Sequence, residues 1–268
     1  LSSVTVAQYP WSLTLVIPAL NEERVLENVV DQVFAEVEPR VRRFEVILVN
    51  DGSTDGTGGI MDRIAQARPG VRVLHNQANL GLGASYQRGV REARCDYIML
   101  LCGDGGFPAA SLPPVFEKIG EADIVVPYMT NLRQIKTTTR YLLSRAYTGL
   151  LNLLFGFRLK YYNGLPVHRT ALVRRVDIVS DGFGFQGEVL VKLLKSGCSF
   201  VEVGVKGAEE TKRSFALRPK NIASVAYTFA HLVAEVLFFK PIPADVVEDA
   251  RRGGDSEPQH GSVGGRAQ

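Results

Sequence analysis

Short apolar runs that stop at loops rich in Asn, Asp, Gly or Pro, alternating with segments of helical period, constrain the fold of this 268-residue chain more than any other feature. Ser12–Pro18 (SLTLVIP) and Phe44–Val49 (FEVILV) have strand length and are mostly apolar, which predicts strands buried on both faces. Between them, Asn21–Val37 sets Val25, Leu26, Val29, Val30, Val33 and Phe34 at helical spacing, with Glu22 and Glu23 in the first turn. A helix from about Thr57 to Ala67, a strand Val71–His75, a helix from about Gly83 to Ala93 and strands Tyr97–Leu101 and Ile124–Pro127 continue the alternation. This pattern predicts an α/β chain: a Rossmann-like, mostly parallel sheet flanked by helices, joined by right-handed crossovers. Ligands of such sheets bind at the carboxyl ends of the strands. Those ends carry Pro18–Glu23, Asn50–Ser53, Asn76–Gly83 and Cys102–Gly106.

Each candidate has two readings. Asp51 could accept hydrogen bonds from a ribose or base edge, or with Ser53 it could cap the helix starting near Asp55. A dinucleotide cofactor is excluded, because the first strand-to-helix turn is Pro-Ala-Leu-Asn-Glu-Glu and holds no glycine. Asp104, among Gly103, Gly105 and Gly106, could hold a divalent cation on a diphosphate, or bond its own backbone in a turn. Glu188 and Gln186 open a helix predicted over Gly182–Lys195; a carboxylate there is either stabilised by the helix dipole or aimed outward as a base. Lys206, Lys212, Arg213, Arg218 and Lys220 form a basic loop, a phosphate site or a solvated surface. His75, His168 and His231 form no ligand set and read as structural.

Composition narrows the partners. The 31 Lys and Arg are nearly balanced by 28 Asp and Glu, which argues against a nucleic-acid binder. Cys95, Cys102 and Cys198 are odd in number and far apart, so neither a disulfide framework nor a structural zinc site is expected, and a reducing compartment fits. The first ten residues lack a signal-peptide pattern, and no uncharged stretch clearly reaches the ~20 residues of a spanning helix. Arg140–Phe157 and Ile222–Phe239 are apolar enough either to pack on the sheet or to lie on a bilayer surface. The expected organisation is an arm over 1–11, a domain over 12–240 with halves 12–128 and 129–240, and a disordered tail over 249–268.

Taken together, the pieces resemble glycosyltransferase family 2, particularly its dolichol- and polyprenyl-phosphate sugar synthase branch. The matching residues are Val16–Glu23, Val49–Thr57, Asn79–Ala84, Asp104–Pro108, Tyr162–Leu165, Phe185–Glu188 and Ser214–Ile222, in the family's order. The resemblance implies a GT-A fold and an inverting transfer from a UDP- or GDP-sugar, with a polyprenyl phosphate or a soluble small molecule as acceptor. It implies that Pro18, Ala19, Leu20, Glu22, Asp51, Ser53, Gly81, Gly83 and Gly103 cradle the nucleotide, and that Asp104 is the metal residue, with Mg²⁺ or Mn²⁺ as cofactor. Lys212, Arg213, Arg218, Lys220 and Arg140 would meet phosphates or acceptor. Gln186 and Glu188 match the acceptor side, and Asp181 is a second base candidate. The expected setting is cytoplasmic, peripheral on the inner membrane face if the acceptor is a lipid. Three positions depart from the family pattern: Cys102 replaces the first aspartate of its DxD motif, Gly106 a glutamine, and Leu82 a basic residue. A thiol is a poor Mg²⁺ ligand, so a catalytically silent, nucleotide-sugar-binding module is the rival to an active transferase.

Overall fold

The computed structural model describes residues 8–180, 184–208, 229 and 232–253. An inner strand of its sheet is β1 (Tyr9–Ala19), in which Leu13, Leu15, Val16 and Ile17 are wholly buried. β2 (Val41–Asn50) pairs parallel with it, Ile17 opposite Leu48, and β3 (Val71–His75) extends that edge. β4 (Tyr97–Leu100) pairs parallel on the other side, Val16 opposite Leu100. The crossovers are α1 (Leu26–Val37), α2 (Thr57–Ala67) and α3 (Leu82–Glu92). α1 and α2 pack together, and the reversal of direction between β3 and β4 puts α3 on the opposite face, against β1 and β2.

The second half adds the short helices α4 (Leu112–Phe116) and α5 (Leu132–Ile135), strand β5 (Ile124–Met129) and the long helix α6 (Thr138–Phe155). It continues through β6 (Val167–Arg169), α7 (Thr170–Val173), α8 (Phe185–Lys195), β7 (Phe200–Val205) and α9 (Ala244–Gly253). The seven strands run β3-β2-β1-β4-β6-β5-β7, and β6 alone is antiparallel to its neighbours. The predicted α/β class and mostly parallel sheet are what the chain forms.

Three local expectations differ from the structure. The helix predicted from Asn21 starts at Leu26, because Asn21 takes a left-handed φ of 56° and residues 21–23 are bound to the next loop instead. β1 starts at Tyr9, inside the expected arm, where Tyr9 stacks on Trp11 with ring centroids 4.8 Å apart. The tail expected from Asp249 is helical as far as Gly253, since α9 buries Val247 and ties Arg251 to Asp123. Residues 254–268 lie outside the described residues.

Candidate active site

The ends of β1, β2 and β4 meet at Pro18 and Ala19. The Asp51 N–H donates to the Ala19 carbonyl and the Gly103 N–H to the Pro18 carbonyl, each at 3.0 Å. The loops bearing Asp51 and Asp104 therefore leave the sheet at one end, on either side of β1. Gly103 makes this possible: a Cβ there would stand 2.7 Å from that of Ala19. Beside them the first two loops are zipped together. Asn21 N–H donates to Ser53 Oγ (3.0 Å), Asn21 Oδ1 accepts the Thr54 N–H (2.8 Å), and Glu22 N–H donates to Thr57 Oγ1 (2.8 Å). Pro18 and Ala19 are buried under this seam, Glu22 is half-buried and Leu20 is exposed at its edge.

Asp51 is buried, and its bonds run inward. Oδ1 accepts Asn76 Nδ2 and the Leu80 N–H, both at 2.9 Å, and Oδ2 accepts the Gly81 N–H at 3.0 Å. It thus pins residues 76–81 rather than capping the next helix, at whose start the Thr57 N–H donates to Asp55 Oδ1 at 3.0 Å. An ionised carboxylate offers about four acceptor positions, so Asp51 keeps one for a ligand. Gly81, with its N–H committed to Asp51 and to Asn79 Oδ1, presents no free amide to a phosphate. Gly83 is buried in the first turn of α3. Gly52, at a φ of 74°, sits where a Cβ would come 2.4 Å from the Ala78 carbonyl carbon, so only glycine lets these two loops touch.

Asp104 is exposed, in a turn where its Oδ1 accepts the Gly106 N–H at 2.9 Å. The turn reading holds for that oxygen. No donor among the described residues reaches Oδ2. Burial, then the Asp104 and Glu22 carboxylates, push the Cys102 thiol up to about 12, so it stays protonated and offers no thiolate. Among the described residues no three His, Cys, Asp or Glu side chains form a metal cluster. Mg²⁺-type ions bind through one or two carboxylates plus substrate phosphates and water, so Asp104 alone fits a cation held mainly by a diphosphate.

Across the crevice, Glu188 is wholly buried in the first turn of α8. Its carboxylate accepts the N–H groups of Val179 (3.0 Å) and Ser180 (2.9 Å) and Lys192 Nζ (2.6 Å). Burial raises its pKa, but Lys192 and the two N–H groups outweigh that and hold it below the ordinary carboxyl value. A carboxylate so bound is a weak base. Those bonds tie it to Val179, Ser180 and Lys192. Gln186 is buried on the same turn, and its Oε1 has no partner among the described residues. Asp181, Lys212, Arg213, Arg218 and Lys220 lie outside the described residues.

The sequence reading missed one feature. A cavity of about 250 Å³ opens at the carboxyl end of β5, between α5, α6 and the turn at Lys160-Tyr161. Arg133, Arg145 and Lys160 line it together with Tyr128, Tyr141 and Tyr161. Arg140, half-buried in the first turn of α6, is not among its lining residues; Arg145 is. The available signal was the spacing of Tyr141, Ser144, Arg145 and Thr148, one stripe of a helix. The far side of the same helix leaves Leu142, Leu150 and Leu153 exposed.

A mostly parallel sheet with these loops at its carboxyl edge, flanked by helices and carrying one internal antiparallel strand, is the GT-A glycosyltransferase fold. The sequence model of the family described as Glycosyl transferase family 2 matches residues 14–183, and the chain belongs to that family; it is a glycosyltransferase. It is 29% identical over 199 residues to the undecaprenyl-phosphate mannosyltransferase of Micrococcus luteus, covering 68% of this chain and 80% of that one. A dolichyl-phosphate beta-glucosyltransferase of Trichomonas vaginalis is 35% identical over 97 residues; the match takes in 34% of this chain and only 29% of that relative's length. Among solved structures, glucosyl-3-phosphoglycerate synthase of Mycobacterium tuberculosis, in complex with Mn²⁺, UDP-glucose and phosphoglyceric acid, superposes with a TM-score of 0.60. At 19% identity, over 84% of this chain and 80% of the other, that likeness shows the fold.

Proposed function

We propose that the protein transfers a sugar, with inversion, from a UDP- or GDP-sugar to a polyprenyl phosphate. The observation that carries this reading is helix α6, which lines the cationic cavity with one side and exposes leucines on the other. It pairs an anion site with an apolar surface, the two halves of a lipid phosphate. The mannosyltransferase name of the Micrococcus luteus relative agrees with it.

In this reading the donor lies over the ends of β1, β2 and β4. Pro18, Ala19, Leu20, Glu22, Ser53 and the remaining acceptor position of Asp51 surround the nucleoside, while Gly83 and Gly103 keep the floor low. Asp104 faces the diphosphate and would hold a Mg²⁺ or Mn²⁺ there; a cation at that place neutralises charge on the departing nucleoside diphosphate. Lys212, Arg213, Arg218 and Lys220 are proposed to supply positive charge to the same leaving group, and Arg133, Arg145 and Lys160 to hold the acceptor phosphate. A phosphate oxygen is already a nucleophile, so no side chain has to remove its proton. That is consistent with a Glu188 engaged elsewhere. Gln186 faces the acceptor side, and the protein works as a peripheral enzyme on the cytoplasmic membrane face.

Incubation of the purified protein with UDP-glucose or GDP-mannose, Mn²⁺ and undecaprenyl phosphate in mixed micelles tests the proposal. Formation of a glycosylated lipid phosphate is expected. Transfer to 3-phosphoglycerate and not to the lipid would replace the acceptor, and donor binding without transfer to either would favour a silent module.

A further inference from the structure

A cavity of about 10 Å³ lies between α3, β4, β6 and α8. Its walls are apolar (Leu100, Phe185 and Val189 among them) except for Tyr86, His168 and Gln186. His168 and Gln186 are both more than nine-tenths buried, and each brings one atom with no partner among the described residues: His168 Nε2 and Gln186 Oε1. Proteins seldom leave such atoms unpaired, and they use water where no side chain reaches. A space of this size is that of one water molecule.

The other ring nitrogen decides the chemistry. The Tyr86 hydroxyl lies 3.4 Å from His168 Nδ1; with that hydroxyl donating, the ring hydrogen sits on Nε2. Burial pushes the ring's pKa down to about 3, so it is neutral wherever an enzyme of this kind works. Two residues that each carry an unpaired buried polar atom thus line one water-sized space.

We propose that His168 positions Gln186 through a single buried water, which accepts from His168 Nε2–H and donates to Gln186 Oε1. The carboxamide oxygen is thereby held inward, and its NH₂ is turned away from the cavity. His168 is then a positioning residue for the first turn of α8, in a strand of three residues that would otherwise only fill the sheet. The functional half of the inference rests on the reading of Gln186 as an acceptor-side group; the water itself does not.

Three measurements test it. A high-resolution crystal structure of the unmodified protein should show one water within about 2.7–3.2 Å of both atoms; a direct side-chain partner on Gln186 Oε1 would overturn the bridge. Nitrogen NMR of the His168 ring should show the Nε2–H tautomer, unchanged between pH 8 and about pH 5; a protonated Nδ1 would overturn it. His168→Leu and Gln186→Leu should each lower kcat about three- to tenfold at unchanged donor KM, with undecaprenyl phosphate as acceptor. The double variant should be no worse than Gln186→Leu, whereas independent, multiplying losses would show that His168 does not act through Gln186. If Gln186→Leu keeps full kcat while water and tautomer are found, the role of Gln186 fails and the bridge stands. Should His168→Leu not fold, the two measurements on the unmodified protein still decide.

Discussion

Asp104 stands on a turn that occupies one of its carboxylate oxygens and leaves the other without a donor among the described residues, two residues from a thiol that burial keeps protonated. Among the described residues its neighbourhood holds no cluster of three such ligands that would bind a cation independently of substrate. Because Asp104 is exposed and packs against little, Asp104→Asn should leave the melting temperature unchanged and lower kcat by about 10²–10³-fold. A variant of full activity in a donor-turnover assay would remove Asp104 from the site. Cys102→Asp makes the complementary test. A second hard oxygen should reduce the Mn²⁺ needed for half-maximal activity about tenfold, read from a metal titration of the same assay. At this scale the sequence showed which residues stand at the strand ends but not which way they bond. The ties of Asp51 to Leu80 and Gly81 span 29 and 30 residues, so no local pattern announces that this carboxylate is spent mostly on its own loop.

Helix α8 is held by an ion pair that is dry on both sides: Glu188 is wholly buried and the Lys192 side chain is 3% exposed. Removing one partner strands the other's charge, so Glu188→Gln and Lys192→Met should each destabilise the fold by about 3 kcal/mol in urea denaturation, and the double variant by less than their sum. Equal and additive losses would mean that the two groups do not depend on each other. The i, i+4 spacing of this pair was readable in the chain; its burial was not, because that comes from residues 177–180, Glu235 and Phe239, distant in sequence or in a loop, packing around it. Helix α6 shows the reverse case. Its apolar circumference was plain in the sequence, but only packing decides which leucines remain outside, and Leu153 is 80% exposed. Leu153→Glu should abolish co-sedimentation with anionic liposomes while leaving turnover of a water-soluble short-chain prenyl phosphate intact. Undiminished sedimentation would place the membrane contact elsewhere. Strand β6 stayed invisible for a different reason: three residues, Val-His-Arg, carry no period at all.

Over the whole molecule, the two ends of the sheet divide the work. The carboxyl ends of β1, β2 and β4 hold the candidate site, and the amino end of β5 holds a charged knot that joins the last described helix to the sheet. There the buried Asp123 accepts the Ser199 N–H and hydroxyl, both at 2.8 Å, and Arg251 Nη2 from α9 at 2.7 Å, with Arg169 Nε 3.4 Å away. Burial alone would raise the Asp123 pKa; the hydrogen bonds from Arg251 and Ser199 outweigh it and hold the carboxyl below its ordinary value. A group with a lowered folded pKa binds fewer protons folded than unfolded, so its stabilisation is present above the unfolded value near pH 4 and is lost as the pH falls through the folded one. Arg251→Ala should thus cost about 1 kcal/mol at pH 7, near the low end for a charged hydrogen bond because the Arg251 side chain is 36% exposed. For a chain of this size that is a melting shift of roughly 2–4 °C. The difference between the two proteins should shrink in urea denaturation as the pH is lowered from 7 into the acid range where the Asp123 carboxyl takes up its proton. Transfer activity at pH 7 should not change, because the knot lies at the opposite end of the sheet from Asp51 and Asp104. A stability gap that widens on acidification would show that Arg251 acts on some group other than this carboxylate, and a fall in kcat at constant stability would show that the two ends of the sheet are coupled.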